Sequence, residues 1–472
     1  MNKLSQSYIK NCKKYFFDKY KAQKNNNLLL IFLVSYKNAT FAAFFIFKLK
    51  KGIKMDLFAK IQKNMGPLGK YMAAAEGYYM FPKLEGEIGP RMKFQGKEMI
   101  IWSLNNYLGL ANHPEVREAD TKGAAEYGLA APMGARMMSG QTTLHEQFEQ
   151  ELAVISQKES AFVVNFGYQG ILSTIDTILD PRGRDVIVYD EESHACIIDG
   201  ARMYPGKRFK FKHNDIVDLE KQLVRATRLI EENGVGGILV ISEGVFGMRG
   251  DQGKLKEIVA LKEQFDFRFL VDDAHGFGTL GKTGAGAGEE QDCQDGIDIY
   301  FGTFAKSMAM IGGFISGDKY IIDFLRYNMR SQIFAKSLPM PFVVGGLKRL
   351  ELIRNHPEFK AKLWENVNYL QNGLRDRGFD CGDSNTCVTP VYMKGSVEEA
   401  MVLVKDMRDN YSVFCSIVVY PVIPKGMIIL RLIPTAMHEK RDIDETFVAF
   451  EHVAKRLADG TYAKIAETMP QV

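Results

Sequence analysis

The chain has 472 residues, 46% hydrophobic and 25% charged, with a formal net charge of +4 at pH 7, a composition that excludes disordered and fibrous proteins and suggests two or three domains. The charge is unevenly spread: residues 1–54 hold twelve lysines, no arginine and one acid, Asp18, for a net +11, while the other 49 basic and 56 acidic residues give −7. That mildly acidic body argues against general nucleic-acid binding. The six cysteines show no CxxC and no metal-ligand spacing, so reduced thiols in a cytoplasmic protein without a metal site are expected.

Residues 1–54 read differently from the rest. Two apolar runs, Leu28 to Val34 and Phe41 to Phe47, are separated by Tyr36-Lys37-Asn38, and neither reaches the ~20 residues needed to span a membrane. Lysine without arginine, with Asn, Phe and Ile, is what AT-rich untranslated DNA would encode, so translation from Met55 is expected, with a membrane-associated extension as the alternative. Residues 55–98 read as an N-terminal arm, with helical apolar spacing over Asp56 to Met72. A large domain is expected over 99–327. Strand candidates Ser160–Asn165, Asp185–Tyr189, Gly237–Ser242, Phe269–Asp272 and Ile297–Thr303 alternate there with helical stretches, which indicates an α/β domain with a mostly parallel sheet. A linking helical pattern over Asp318 to Arg354 leads into a smaller α+β domain within 328–472. Its strands are expected at Val388–Met393, Val413–Val419 and Ile428–Ile433, and its last helix carries Ile443, Phe447 and Phe450 on one face.

The chemistry is concentrated at the ends of these strands, where open α/β sheets bind ligands. Lys306, in Gly302-Thr303-Phe304-Ala305-Lys306-Ser307, follows one strand, and Asp272-Asp273-Ala274-His275 follows another. A lysine amine and a buried carboxylate so placed suit pyridoxal phosphate (PLP), with the Asp on the pyridinium nitrogen and His275 near the phenolic oxygen. Asn165-Phe166-Gly167-Tyr168 opens a helix after a strand, a place where backbone N–H groups bind phosphate; Thr303 offers a hydroxyl for the same group. His194, after the strand ending at Tyr189, can stack on a cofactor ring. Arg431, set among Ile428, Ile429, Leu430, Leu432 and Ile433, needs an anion, either a substrate carboxylate or a structural acid.

In order along the chain, Asn105-Asn106-Tyr107-Leu108-Gly109-Leu110, Gly134-Ala135-Arg136 through Ser139-Gly140, and His145 with the helix to Ala153 form one group of motifs. Gly167-Tyr168, Ser193-His194-Ala195, Glu243-Gly244-Val245-Phe246, Gly250-Asp251, Asp272 through His275, Thr303 through Ser307 and Arg431 through His438 continue it. Together they resemble the α-oxoamine synthases, fold-type-I PLP enzymes, over residues 85 to 455. The resemblance implies that Lys306 binds the cofactor covalently and moves the substrate Cα proton. It implies Asp272 on the ring nitrogen, His194 stacked on the ring, His275 on the phenolic oxygen, and Gly167, Tyr168 and Thr303 on the phosphate. Arg431 and an asparagine of the Asn105–Asn106 pair would orient the amino-acid carboxylate.

The implied reaction condenses an amino acid with an acyl thioester, from CoA or an acyl carrier protein, with loss of CO2. Val419-Tyr420-Pro421-Val422-Ile423-Pro424 and Tyr78-Tyr79-Met80-Phe81-Pro82 look like the serine palmitoyltransferase group. Long-chain acyl transfer to L-serine or cysteate, giving a 3-keto sphingoid-type base, is therefore expected. Glycine C-acetyltransferase and 8-amino-7-oxononanoate synthase are the alternatives within the family, and a non-catalytic partner subunit is the alternative outside enzymes. The family implies a homodimer, and the lipid chemistry is compatible with peripheral membrane contact. Four positions depart from the usual pattern: Phe166, Gly247, Arg249 and Ala305. Arg249 is a candidate cation for a sulfonate if it faces the site.

Overall fold

The computed structural model describes residues 58–69, 71–420 and 422–468. The expectations for residues 1–54 lie outside these. The chain divides into two units, residues 1–73 and 74–472. In the first, the single helix expected over Asp56 to Met72 is instead two short ones, Ala59–Lys63 and Gly66–Gly69. Gly66-Pro67 accounts for the break: proline has no N–H to give the preceding turn, and the Gly66 N–H is taken by Asn64 Oδ1 at 2.9 Å.

The second unit is built on a seven-stranded sheet. Its strands are β4 (Ser160–Val164), β5 (Val186–Asp190), β6 (Lys207–Phe211), β7 (Ile238–Glu243), β8 (Arg268–Asp272), β9 (Ile299–Thr303) and β10 (Gly313–Gly317). They lie in the order β4-β10-β9-β8-β7-β5-β6, and only β10 runs against its neighbours. The central strands are apolar throughout because both faces are covered. Val186, Val188, Val240 and Val271 enter the core on one face; Ile187, Tyr189, Ile241 and Leu270 enter the core on the other. Helices α1 (Pro114–Tyr127), α2 (Thr143–Ile155), α3 (Gly167–Ile178), α4 (Ala195–Met203) and α5 (Ile216–Asn233) belong to the same part of the chain. Phe148 and Leu152 of α2 and Leu219 and Leu223 of α5 fill the first core, while Ile171 and Ile175 of α3 and Ile197 of α4 fill the second.

Two strands escape the sequence pattern. β6 is Lys-Arg-Phe-Lys-Phe at the sheet edge, where exposed charge is tolerated and discourages further pairing. β10 is five residues bounded by glycines, too short to stand out beside the helical pattern that follows it. That pattern is also broken. It forms α6 (Lys319–Asn328), a turn at Arg330–Ile333, and α7 (Met340–Asn355), which starts with Pro341 at its head; α8 (Pro357–Asp376) begins with a proline as well.

A three-stranded antiparallel sheet, β11 (Thr389–Lys394), β14 (Met427–Leu432) and β13 (Ser416–Val418), packs with α9 (Val397–Tyr411) and α10 (Lys440–Ala458). Ile443, Phe447 and Phe450 of α10 share the buried face expected for them. The expected strand Val413–Val419 divides at Cys415. Its first part, β12 (Val413–Phe414), pairs in parallel with β3 (Lys97–Ile101), in a sheet with β1 (Leu84–Glu85) and β2 (Arg91–Phe94). Among the described residues, no helix is long and apolar enough to cross a membrane.

The edge strand β4 is closed by side chains. Glu149 Oε1 accepts the Val163 N–H at 2.8 Å, and Arg136 Nη1 donates to the Val163 carbonyl at 2.9 Å. Arg136 and Glu149 pair with each other, both buried, and Arg326 Nη2 reaches Glu149 Oε2 at 3.1 Å. Glu149→Ala would leave a buried guanidinium without its acid, and a loss of about 3–5 kcal/mol is expected. A urea-unfolding midpoint for the variant checks this.

Candidate active site

The sheet delivers its polar groups at the carboxyl ends of adjacent strands: Asp190 from β5, Glu243 from β7, Asp272 from β8 and Thr303 from β9. Lys306 follows three residues after Thr303, in the tight connection to β10. Backbone bonds from Phe304 N to Gly312 O and from Met310 N to Phe304 O, both 2.9 Å, close that connection. Ser307 Oγ anchors it to the Phe277 carbonyl at 2.6 Å. The lysine is held by fixed backbone rather than by a mobile loop.

Burial pushes the Lys306 amine down to about 8, against the opposing pull of the Asp272 and Glu243 carboxyls. Burial likewise raises Asp272, while Lys306 and His194 hold it down. Asp272 is 4% exposed, and its hydrogen bonds are weak: the Ala274 N–H at 3.2 Å and the Cys196 thiol at 3.6 Å. Such a carboxylate has acceptor capacity left for a cationic N–H. Asp273 goes elsewhere. Its Oδ2 accepts Ala287 N at 2.7 Å and Tyr300 Oη at 3.0 Å, and burial raises its carboxyl to about 7. The acid pair thus splits, Asp272 to the strand-end site and Asp273 into the core.

His194 caps α4, is exposed, and has Cys196 Sγ 2.9 Å from Nδ1. Its backbone N–H is held by the buried Glu243, whose carboxyl burial raises well above the usual range. The Tyr168 ring stands edge-on to it at 6.1 Å. His275 is buried and pushed by desolvation well below its ordinary pKa, so the ring is neutral. Tyr107 Oη lies 2.6 Å from Nδ1; with the phenol donating, Nε2 carries the hydrogen. Nε2 makes no hydrogen bond among the described residues and points at Gly247, where a Cβ would overlap it.

The turn bearing Gly247 also receives Arg431. Arg431 Nε donates to the Gly247 carbonyl at 2.5 Å, and no acid pairs with this arginine among the described residues. Arg249 Nη1, by contrast, pairs with Glu192 Oε1 at 2.9 Å, each side chain 41% exposed. The two asparagines differ. Asn106 is engaged: its Oδ1 accepts Ala111 N at 3.1 Å. Asn105 Oδ1 is buried without a hydrogen-bond partner among the described residues; the flipped amide would present N–H groups instead. At the head of α3, a Cβ on Gly167 would lie 3.0 Å from Thr303 Oγ1, so glycine keeps a notch open between a helix N-terminus and a hydroxyl. Tyr168 Oη turns to Asp199, and Phe166 is 56% exposed beside the notch.

These groups fit pyridoxal phosphate. A buried acid short of partners suits the ring nitrogen, an N–H donor on neutral His275 suits the phenolic oxygen, and the Gly167–Thr303 notch suits the phosphate. Tyr107, Glu243 and Cys196 are part of the arrangement although single-residue reasoning did not pick them out. Tyr107 and Glu243 stood inside quoted motifs, and only their pairing across the fold gives them roles. Gly247→Ser is expected to displace His275 and weaken PLP retention by about tenfold or more, roughly 1.4 kcal/mol. Titration of the apoprotein by absorbance checks this.

Residues 97–450 match the family model described as aminotransferase class I and II. The chain is 61% identical over 410 residues to the cysteate-C-fatty acyltransferase of Capnocytophaga ochracea, covering 87% of this chain and 97% of that one. It is 34% identical to the serine palmitoyltransferase of Bacteriovorax stolpii, covering 81% of this chain and 88% of that one. Among solved structures, the serine palmitoyltransferase of S. paucimobilis with PLP and myriocin bound superposes with a TM-score of 0.78 at 27% identity, over 85% of this chain and 99% of that chain. The Sphingomonas wittichii serine palmitoyltransferase gives 0.77 at 27% identity, over 88% and 100%. The chain belongs to the class I and II aminotransferase family, within its α-oxoamine synthase branch of PLP-dependent acyltransferases.

Proposed function

We propose that this enzyme condenses cysteate with a long-chain acyl thioester, releasing CO2 and the thiol and giving a sulfonated 3-keto base. The observation that carries the reading is the 61% identity to a cysteate-C-fatty acyltransferase across 97% of its length. L-Serine is the second amino acid, favoured by the 34% identity to a serine palmitoyltransferase. In balance, the Cα–carboxylate bond breaks, the Cα–acyl carbon bond forms, and the thioester C–S bond breaks.

In this reading Arg431 grips the substrate carboxylate, because its guanidinium has no acid partner among the described residues; the Asn105 amide, whose Oδ1 is left unpaired, is the orienter, while Asn106 is engaged within its own loop. Lys306 takes the Cα proton: its amine, lowered to about 8, is close to the operating pH that proton transfer needs. Bound PLP supplies the sink for the charge left at Cα. Asp272 holds the ring nitrogen, His194 covers one ring face, His275 donates to the phenolic oxygen, and Gly167, Tyr168 and Thr303 hold the phosphate. Cysteate carries a second anion. Arg249, two residues from the carbonyl that Arg431 holds, is the cation assigned to the sulfonate, exchanging Glu192 for it.

The reading includes a homodimer. Met133, Met138 and Phe334 are 76%, 84% and 74% exposed around the bridge of Ala135 to Lys336, an apolar patch suited to a second copy. Free buried cysteines suit a reducing cytoplasm, and a lipid product favours peripheral contact with a membrane surface.

The decisive assay offers cysteate, serine, glycine and alanine, each with palmitoyl-CoA, palmitoyl-acyl carrier protein and acetyl-CoA, with products read by mass spectrometry. A long-chain amino ketone retaining the sulfonate is expected; product from glycine and acetyl-CoA alone overturns the reading. Lys306→Ala should lose at least about a hundredfold in kcat. Arg431→Lys should raise the amino-acid KM roughly tenfold or more, since a point charge replaces a bidentate grip. Arg249→Gln should raise KM for cysteate and leave that for serine unchanged.

A further inference from the structure

His213 is used by none of the chemistry above, yet it stands at the centre of a buried polar cluster. Its ring is 9% exposed and lies between two carboxylates: Nδ1 is 3.1 Å from Asp190 Oδ1, and Nε2 is 2.8 Å from Asp251 Oδ2. Asp190 is fully buried at the end of β5. It also caps the loop leading to His194, accepting Glu192 N at 2.9 Å and Asn214 N at 3.0 Å. Asp251 ends the turn that begins at Phe246, closed by Phe246 N to Asp251 O at 3.0 Å and Gly250 N to Phe246 O at 2.8 Å. Asn214 adds a second tie, with Nδ2 on Asp251 Oδ2 at 3.2 Å and on the Gln252 carbonyl at 2.9 Å. The Phe246 ring stands edge-on to His213 at 4.4 Å.

Both segments joined in this way end in the site. The first continues to His194. The second presents the Gly247 carbonyl to Arg431 and holds the β11 side of the three-stranded sheet, since the Gly250 carbonyl accepts Thr386 Oγ1 at 2.8 Å and Asn385 N at 3.2 Å. Arg249–Glu192 bridges the same two segments in a more exposed position.

We propose that His213 is a positioning residue, whose double contact with Asp190 and Asp251 fixes the turn 246–252 against the His194 loop and thereby sets the place of the Arg431 carboxylate anchor. Two carboxylates on one ring require both nitrogens to donate, which only the imidazolium can do. Despite the cost of burial, the hydrogen bonds His213 donates to Asp190 and Asp251 raise it from 6.5 to about 9, in keeping with the geometry. Asp190 from β5 and Asp251 from the turn are the titratable groups that face it; Asn214 and Phe246 complete its surroundings without charge. Because the folded pKa is raised, the tie is fully present below pH 6.5 and is lost as pH rises through about 9.

The inference rests on the role proposed for Arg431, and the two fail separately: Arg431→Lys with an unchanged amino-acid KM sinks the anchor whatever His213 does. The test uses the full-chain holoenzyme and His213→Gln, with Asp251→Asn and the double variant beside it. His213→Gln should raise the amino-acid KM roughly ten- to a hundredfold, with kcat falling less, because a misplaced anchor weakens binding and orientation. The double variant, which removes the unpaired carboxylate, should recover part of that loss. In the parent enzyme the KM should climb above pH 9 more steeply than in His213→Gln. Substrate amine and Lys306 titrate in both proteins, so the difference between the profiles isolates His213. An unchanged KM in His213→Gln and Asp251→Asn, with superimposable pH profiles, overturns the proposal. A KM rise that tracks the melting temperature across the three variants and leaves the profiles superimposable does so too.

Discussion

A carboxylate buried at the end of a central strand is the constraint on which the site depends. Asp272 is 4% exposed, with a thiol and one backbone amide as its partners, and taking such a group out of water costs several kcal/mol unless a cation lies nearby. The fold supplies that positive field from two directions: Lys306 from the β9–β10 connection and His194 from the head of α4. Each is shifted in the opposite sense, since burial lowers the Lys306 amine and partial desolvation lowers the imidazole of the surface-exposed His194. The result is a set of groups that are incompletely satisfied together, and on the proposed reading a protonated pyridine ring with a phosphate would complete them.

The parallel sheet makes this possible. Parallel strands aim their carboxyl ends to one side, so Glu243, Asp272 and Thr303 arrive as neighbours although long crossover connections separate them in sequence. The single antiparallel strand, β10, returns the chain immediately after Lys306 and keeps the lysine on a short closed turn. The opposite wall comes from β14, which carries Arg431 over the three-stranded sheet to the Gly247 carbonyl.

Much of this was legible in the sequence. The strands β4, β5, β7, β8 and β9 are continuous apolar runs ending in polar residues, and that ending is the signal that marks Lys306, Asp272 and His194; Arg431 is marked instead by a charge inside an apolar strand. Features set by pairing in space were not legible. β6 hides behind its lysines, and β12 looks like part of one strand with β13 until the partner β3 is seen. Asp272 and Asp273 are chemically identical neighbours; only the strand's alternation, with Tyr300 and Ala287 on one side, separates a site acid from a core acid. Tyr107 and His213 gave no local signal because their partners lie 168, 23 and 38 residues away.

The departure at Gly247 shows how one substitution carries several consequences. With no side chain, the turn lets His275 Nε2 approach the backbone, and it leaves the Gly247 carbonyl open to Arg431. A serine there would contribute a hydroxyl but would occupy the space the imidazole uses. The hydroxyl is therefore exchanged for a closer fit between the arginine and the histidine. Arg249, two residues further along the same turn, carries a second positive charge, paired with Glu192. Glu192 is two residues before His194, so the pair links the same two segments that His213 joins through Asp190 and Asp251. On the proposed reading the Arg249–Glu192 tie is exchangeable: a substrate sulfonate would take Arg249 from Glu192 while His213 and Arg431 keep the turn in place, and a substrate with two anions would gain from that exchange where one with a single carboxylate would not.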